Sequence, residues 1–108
     1  MPKFLASKRR LFGRYKEAFA GVKDVRLMEE PSGCESNYWL QTLILSKNAA
    51  EQRDEVLQAT NDASLMVRPA WRLMHLLAPY QECPRAPLSV AESLAQRLIN
   101  LPSSAGLA

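Results

Sequence analysis

Asn37-Tyr38-Trp39-Leu40-Gln41-Thr42-Leu43-Ile44-Leu45 reads as the strongest strand of the chain. A strand places alternate side chains on opposite faces, so Tyr38, Leu40, Thr42 and Ile44 share one face and Trp39, Gln41, Leu43 and Leu45 the other. Apolar residues on both faces predict a central strand. Working outward, Pro31-Ser32-Gly33 ahead of it is turn chemistry. Before that turn, residues 24–29 predict a short first strand with Val25 and Leu27 on one face. After the central strand, Asn48 is placed to cap a helix over residues 49–61, with Glu51 three residues later as capping-box partner. Leu65-Met66-Val67 predicts a third strand that stops at Arg68-Pro69, because proline drives the preceding residue extended and lacks an N–H for the next ladder bond.

The two ends of the chain supply helices. Leu11, Tyr15, Ala18 and Val22 recur at helical spacing beside Phe12 and Phe19, and Gly21 is placed to stop the run. Near the other end, Ser89 with Glu92 forms a second capping box for a helix from Val90 to about Ile99, burying Val90, Leu94 and Leu98. Between them, residues 71–77 are apolar with helical spacing, followed by Pro79, Pro84 and Pro87, which predicts a turn or short helix and then a loop. The small-residue tail from Ser103 to Ala108 has little to bury and is expected to fray. The sum is an α+β fold: a small, mainly antiparallel sheet of about three strands packed with helices, in one domain over residues 1–108.

Composition closes off several functions. Hydrophobic residues at 47% and charged ones at 23% suit a folded body rather than a disordered one. The net charge of +3 is carried most densely by Lys8-Arg9-Arg10, Arg14 and Lys16. These lie on the polar side of the first amphipathic helix, so the expectation is a solvated face and no nucleic-acid partner. Neither a signal peptide nor an apolar run long enough for a membrane is readable, which predicts a cytoplasmic protein with no membrane partner. Cys34 and Cys83 then read as reduced thiols. Together with His75 they offer three donors without a paired metal motif, so no metal is expected. Ser103 and Ser104 lack a glycine elbow and an acid–histidine partner set, and carry no nucleophile signal.

Three segments carry a resemblance: Ser36-Asn37-Tyr38-Trp39; Arg68-Pro-Ala-Trp-Arg-Leu-Met-His-Leu-Leu-Ala-Pro-Tyr80; and Asn100-Leu101-Pro102-Ser103-Ser104. By order and coverage, from the basic helix to Leu101, the chain resembles the C-terminal small domain of the DegT/DnrJ/EryC1/StrS sugar-nucleotide aminotransferases, fold-type I enzymes that use pyridoxal phosphate. The resemblance implies a parent enzyme that moves an amino group from glutamate to a nucleotide-linked keto-sugar in surface polysaccharide biosynthesis. The wording of residues 37–104 is closest to members acting on UDP-linked sugars of the legionaminic-acid type. It implies a large N-terminal domain ahead of Met1 as a partner, a homodimeric parent, and residues 1–6 as the linker to that domain. The family places its Schiff-base lysine in a Ser-x-x-Lys setting in the large domain. None of Lys3, Lys8, Lys16, Lys23 and Lys47 stands in such a setting. This chain is therefore expected to be inactive alone, with no catalytic residue and no pyridoxal phosphate of its own.

The resemblance nominates Asn37, Arg68 and His75 for substrate binding. Each has a second reading in the residues themselves. Asn37 can bond its own backbone as an entry turn. The planar fork of Arg68 suits a carboxylate or phosphate, or an ion pair that pins the strand end. His75, the one histidine, can bond a substrate oxygen or serve structure. Trp71 and Tyr38 read as core. A different class of function also fits, a free-standing protein-interaction module working through the surface that the large domain would otherwise cover.

Overall fold

A computed structural model describes residues 1–108. Helix α1 (Pro2–Ala18) leads into strand β1 (Val25–Leu27), strand β2 (Gln41–Leu45), helix α2 (Arg53–Asp62), strand β3 (Arg68–Pro69), helix α3 (Ser89–Ala95) and strand β4 (Leu98–Leu101). The four strands form one antiparallel sheet in the order β1-β2-β4-β3. The α+β class and the central place of β2 follow the expectation, with one strand more than the sequence suggested.

Register explains the core. Leu43 stands opposite Leu27 on one side and Ile99 on the other. These three, with Leu45, Ala49 and Val67, form the buried cluster, against which Phe12 and Tyr15 of α1, Phe19 just past its end and Leu57 of α2 pack. Both helices thus seal the same apolar cluster of a sheet whose inner face alternates as a pleat requires. No helix is long and apolar enough to cross a membrane.

Several boundaries differ from the sequence reading. β2 begins at Gln41, not Asn37, because Tyr38 takes φ +46, in the left-handed region. The side chains of Ser36 and Asn37 accept the N–H groups of Tyr38 and Trp39, each at 3.0 Å, so local bonds replace the ladder there. The third strand is Arg68–Pro69, where the sequence predicted its end. β3 is a sheet edge, the position that accepts a proline. Leu65 instead closes the end of α2, its N–H donating to the Thr60 carbonyl at 2.9 Å, and Leu65 and Met66 are exposed.

The last helix stops at Ala95, and Leu98 and Ile99, assigned to it by periodicity, belong to β4. The Arg97 carbonyl already accepts from the Leu45 N–H at 3.0 Å, so the chain joins the sheet there. Ile99 is 1% exposed between β2 and β3, whereas Val90, predicted buried, is 72% exposed. Neither capping box forms: a 3-10 turn over Lys47–Gln52 precedes α2, and neither helix start has a side-chain cap bond. At the front, Pro2 to Ala6, expected as linker, are the first turns of α1, with proline where a helix tolerates it. The tail does not fray. It forms a 3-10 turn over Ala105–Leu107, and α1 grips it through Ser7 Oγ to the Ala105 carbonyl at 2.5 Å and Arg14 Nη1 to the Leu107 carbonyl at 2.6 Å.

Candidate functional site

The left-handed turn at Tyr38 has a consequence for the residues beside it. Tyr38 swings inward, stacks on Phe12 with ring centroids 4.2 Å apart, and carries the Arg9 guanidinium 5.4 Å over its ring. The core reading of Tyr38 holds. Trp39 is thrown outward, 63% exposed, and meets Trp71 at 6.0 Å between centroids. Trp71, expected in the core, is 72% exposed, because it lies just past the edge strand β3, outside the core cluster.

Next to this pair opens a cleft of about 350 Å³, lined by Leu40, Met66, Arg68, Trp71, Asn100 and Ser103 among others. Arg68 has no carboxylate beside it, so the predicted ion pair is absent. One guanidinium nitrogen, Nη1, donates to Asn61 Oδ1 at 3.1 Å and to the Val67 carbonyl at 2.9 Å. The rest of the fork has no acceptor in the chain, which leaves an exposed cation with open donors at an aromatic cleft. Asn100, cross-strand to both Arg68 and Thr42, is fixed by accepting from Thr42 Oγ1 at 2.9 Å and donating to the Pro69 carbonyl at 3.3 Å. An anionic group bound to a flat ring is what such a wall can hold.

The structure does not bring the three nominated residues together. Asn37 folds back on its own backbone as the entry turn, holding the Trp39 N–H. His75 lies in a 3-10 turn over Met74–Leu76 and lines a separate, mostly apolar cavity of about 310 Å³ with Leu73, Tyr80, Cys83 and Leu88. Its Nε2 meets Glu92 Oε1 at 3.0 Å, tying this loop to α3. Glu92 is thus taken up by His75 rather than by a cap. Sequence reasoning missed Trp39, Asn100, Ser103 and Lys8 as site residues. The last two could be found only from the fold, since Lys8 Nζ bonds the carbonyl of Trp39 at 3.2 Å, 31 residues away, and that of Ser103, 95 residues away.

The loop carrying Trp39 is anchored from behind. Arg9 grips Glu30 with both nitrogens, at 3.0 and 3.2 Å, and donates to the Ser36 carbonyl at 2.8 Å, while Glu30 accepts the Ser36 N–H at 2.5 Å. The bond from Arg9, then that from Ser36, holds the Glu30 carboxyl below its ordinary range.

The Arg68 cleft lacks the groups by which a pyridoxal phosphate site holds its cofactor. No lysine and no carboxylate lines the Arg68 cleft. Lys8 is spent on two carbonyls and Lys16 is paired with Glu29 at 2.6 Å, while Lys3, Lys23 and Lys47 are exposed away from the cleft.

A family model described as the DegT/DnrJ/EryC1/StrS aminotransferase family matches residues 1–108. GDP-perosamine synthase of Caulobacter vibrioides is 27% identical over 95% of this chain and 28% of its own length. The EpsN protein of Bacillus subtilis, whose name provisionally gives it as a pyridoxal phosphate-dependent aminotransferase, is 30% identical over 93% of this chain and 26% of its own length. The crystal structure of the aminotransferase TlmJ from Streptoalloteichus hindustanus superposes over all of this chain with a TM-score of 0.86, at 23% identity, and shares its fold over 28% of that chain. This chain therefore spans little more than a quarter of the relatives that it matches.

Proposed function

The chain belongs to the DegT/DnrJ/EryC1/StrS aminotransferase family, and from that premise we propose that it is the C-terminal small domain of a pyridoxal phosphate-dependent sugar-nucleotide aminotransferase, inactive alone. The parent transfers an amino group from glutamate to a nucleotide-linked keto-sugar for surface polysaccharide, of the legionaminic-acid type, in the cytoplasm and as a homodimer. A large domain supplies the lysine that this chain lacks and holds the cofactor, which provides the electron sink for moving the amino group.

The observation that carries the reading is the match over residues 1–108 of a chain with an open cation at an aromatic cleft. In this site Arg68 takes the anionic part of the sugar nucleotide, and Trp39 and Trp71 offer ring faces to its planar or apolar part. Asn37 acts on substrate through the placement of Trp39. His75 orders the loop beyond Trp71 through Glu92 and closes the substrate side from the neighbouring cavity.

The test is Arg68→Ala in the longer protein. A lost charge-assisted bond is worth roughly 1.5–3 kcal/mol, so kcat/KM for the sugar nucleotide should fall by about tenfold to a hundredfold, mostly in KM. Unchanged kinetics would remove Arg68 from the site.

A further inference from the structure

Trp39 is an exposed aromatic residue with an unusually complete backbone fastening. Its N–H is held by Asn37 Oδ1 at 3.0 Å, and its carbonyl accepts from Ser103 Oγ at 2.8 Å and Lys8 Nζ at 3.2 Å. At 63% exposure the ring does little for the core, so the fastening has its effect at the surface, where the ring meets Trp71.

Lys8 is the member of this arrangement that joins separate parts of the fold. It sits on α1, while its ammonium reaches the approach to β2 at Trp39 and the exit from β4 at Ser103. Its own carbonyl accepts from Gln41 Nε2 at 3.2 Å, and Gln41 is 1% exposed, so the first residue of β2 fixes the lysine backbone. No carboxylate lies within ion-pair distance of Lys8, unlike Arg9 and Lys16 on the same helix. An ammonium has three donors and no acceptor, and here its protein acceptors are these two carbonyls alone.

We propose that Lys8 is a positioning residue of the cleft: its ammonium, bridging the carbonyls of Trp39 and Ser103, holds Trp39 against Trp71 and so sets the aromatic wall beside Arg68. Its consequence for ligand binding rests on the sugar-nucleotide reading above; the placement of the ring does not, and can be measured without ligand.

Trp39 and Trp71 are the two tryptophans of the chain. Indoles at 6.0 Å couple their transitions and give a paired positive and negative band in far-ultraviolet circular dichroism. In Lys8→Met this couplet should collapse toward the spectrum of Trp71→Phe, which cannot couple, while the helical signal stays. Lys8→Arg, which can still bridge two carbonyls, should restore it. A wild-type couplet in Lys8→Met overturns the proposal, and so does its loss in Lys8→Arg with the fold intact. Should Lys8→Met fail to fold, Lys8→Leu, which also has no donor, decides in the same way: a collapsed couplet supports the proposal and a retained one overturns it. Failure of the sugar-nucleotide reading would leave all these spectra unchanged, so the two fail separately.

Discussion

Arg9 shows how one side chain does the work of a whole turn. It holds Glu30 at the start of the loop and the Ser36 carbonyl near its end, and roofs Tyr38, so the loop delivers Trp39 in one orientation. In the sequence Arg9 looks like one more charge in a basic run, because nothing local says that its partner stands twenty-one residues away. Arg68 and His75 were legible as residue types with donors to offer, but their company was not: Arg68 has Asn61 where an acid was expected, and His75 has Glu92. The Arg9–Glu30 pair makes a pH prediction. The Glu30 carboxyl, through its bonds from Arg9 and Ser36, titrates below its ordinary 4.5 in the folded protein. A lowered folded pKa means that the pair's stabilisation is whole above 4.5 and is lost as pH falls through the folded value. Thermal midpoints of Glu30→Gln should therefore lie below those of the parent chain near neutrality and fall less steeply between about pH 6 and pH 3. Parallel slopes for the two proteins would mean that the pair is not linked to folding.

At the level of elements, the difference between what could be read and what could not follows from where each element draws its stability. β2 was legible because an apolar run with Thr42 and Ile44 as β-formers fills it, and four of its five residues are buried. α1 was legible because Phe12 and Tyr15, with Phe19 just past its end, cover the cluster at helical spacing. β4 was hidden, since Leu94 and Leu98 continue a helical stripe and nothing local marks Arg97 as the point of change. The vacancy between β2 and β3 decides it: a strand there pairs on both sides and buries Ile99, which outweighs the further turn of helix that local spacing favours. The same logic moved the third strand to Arg68–Pro69, where β4 offers Asn100 and Ile99 as partners. Ile99→Ala should accordingly cost about 2–5 kcal/mol, a large share of the roughly 5–15 kcal/mol that holds a domain together. Val90→Ala, on the exposed side of α3, should be nearly silent, within about 0.5 kcal/mol. Urea unfolding of both variants compares them directly; equal costs would restore the helical reading of residues 90–99.

Considered whole, the molecule separates binding groups from reactive ones. Donors and rings gather at the Arg68 cleft, whereas a transamination site also needs an amine to carry the cofactor and an acid for its pyridine nitrogen. The lysines are spread away from the cleft, and the best placed, Lys8, has its ammonium turned to the carbonyls of Trp39 and Ser103. That ammonium would have to give up both bonds before it could attack a carbonyl group. An amine becomes selectively nucleophilic when burial or a neighbouring cation lowers its pKa, and Lys16 has the opposite setting. The bond from Glu29 is the main cause that raises its pKa, and an amine so held stays protonated through the neutral range. The five lysines should then react with pyridoxal phosphate slowly, with no single dominant site, and without saturation at one equivalent. Borohydride reduction followed by peptide mapping should find the label spread among Lys3, Lys23 and Lys47, with Lys8 and Lys16 labelled least. A single lysine labelled stoichiometrically would place a cofactor site on this chain and overturn the assignment of catalysis to a separate large domain. Spread labelling supports the proposed assignment of the cofactor to a separate large domain.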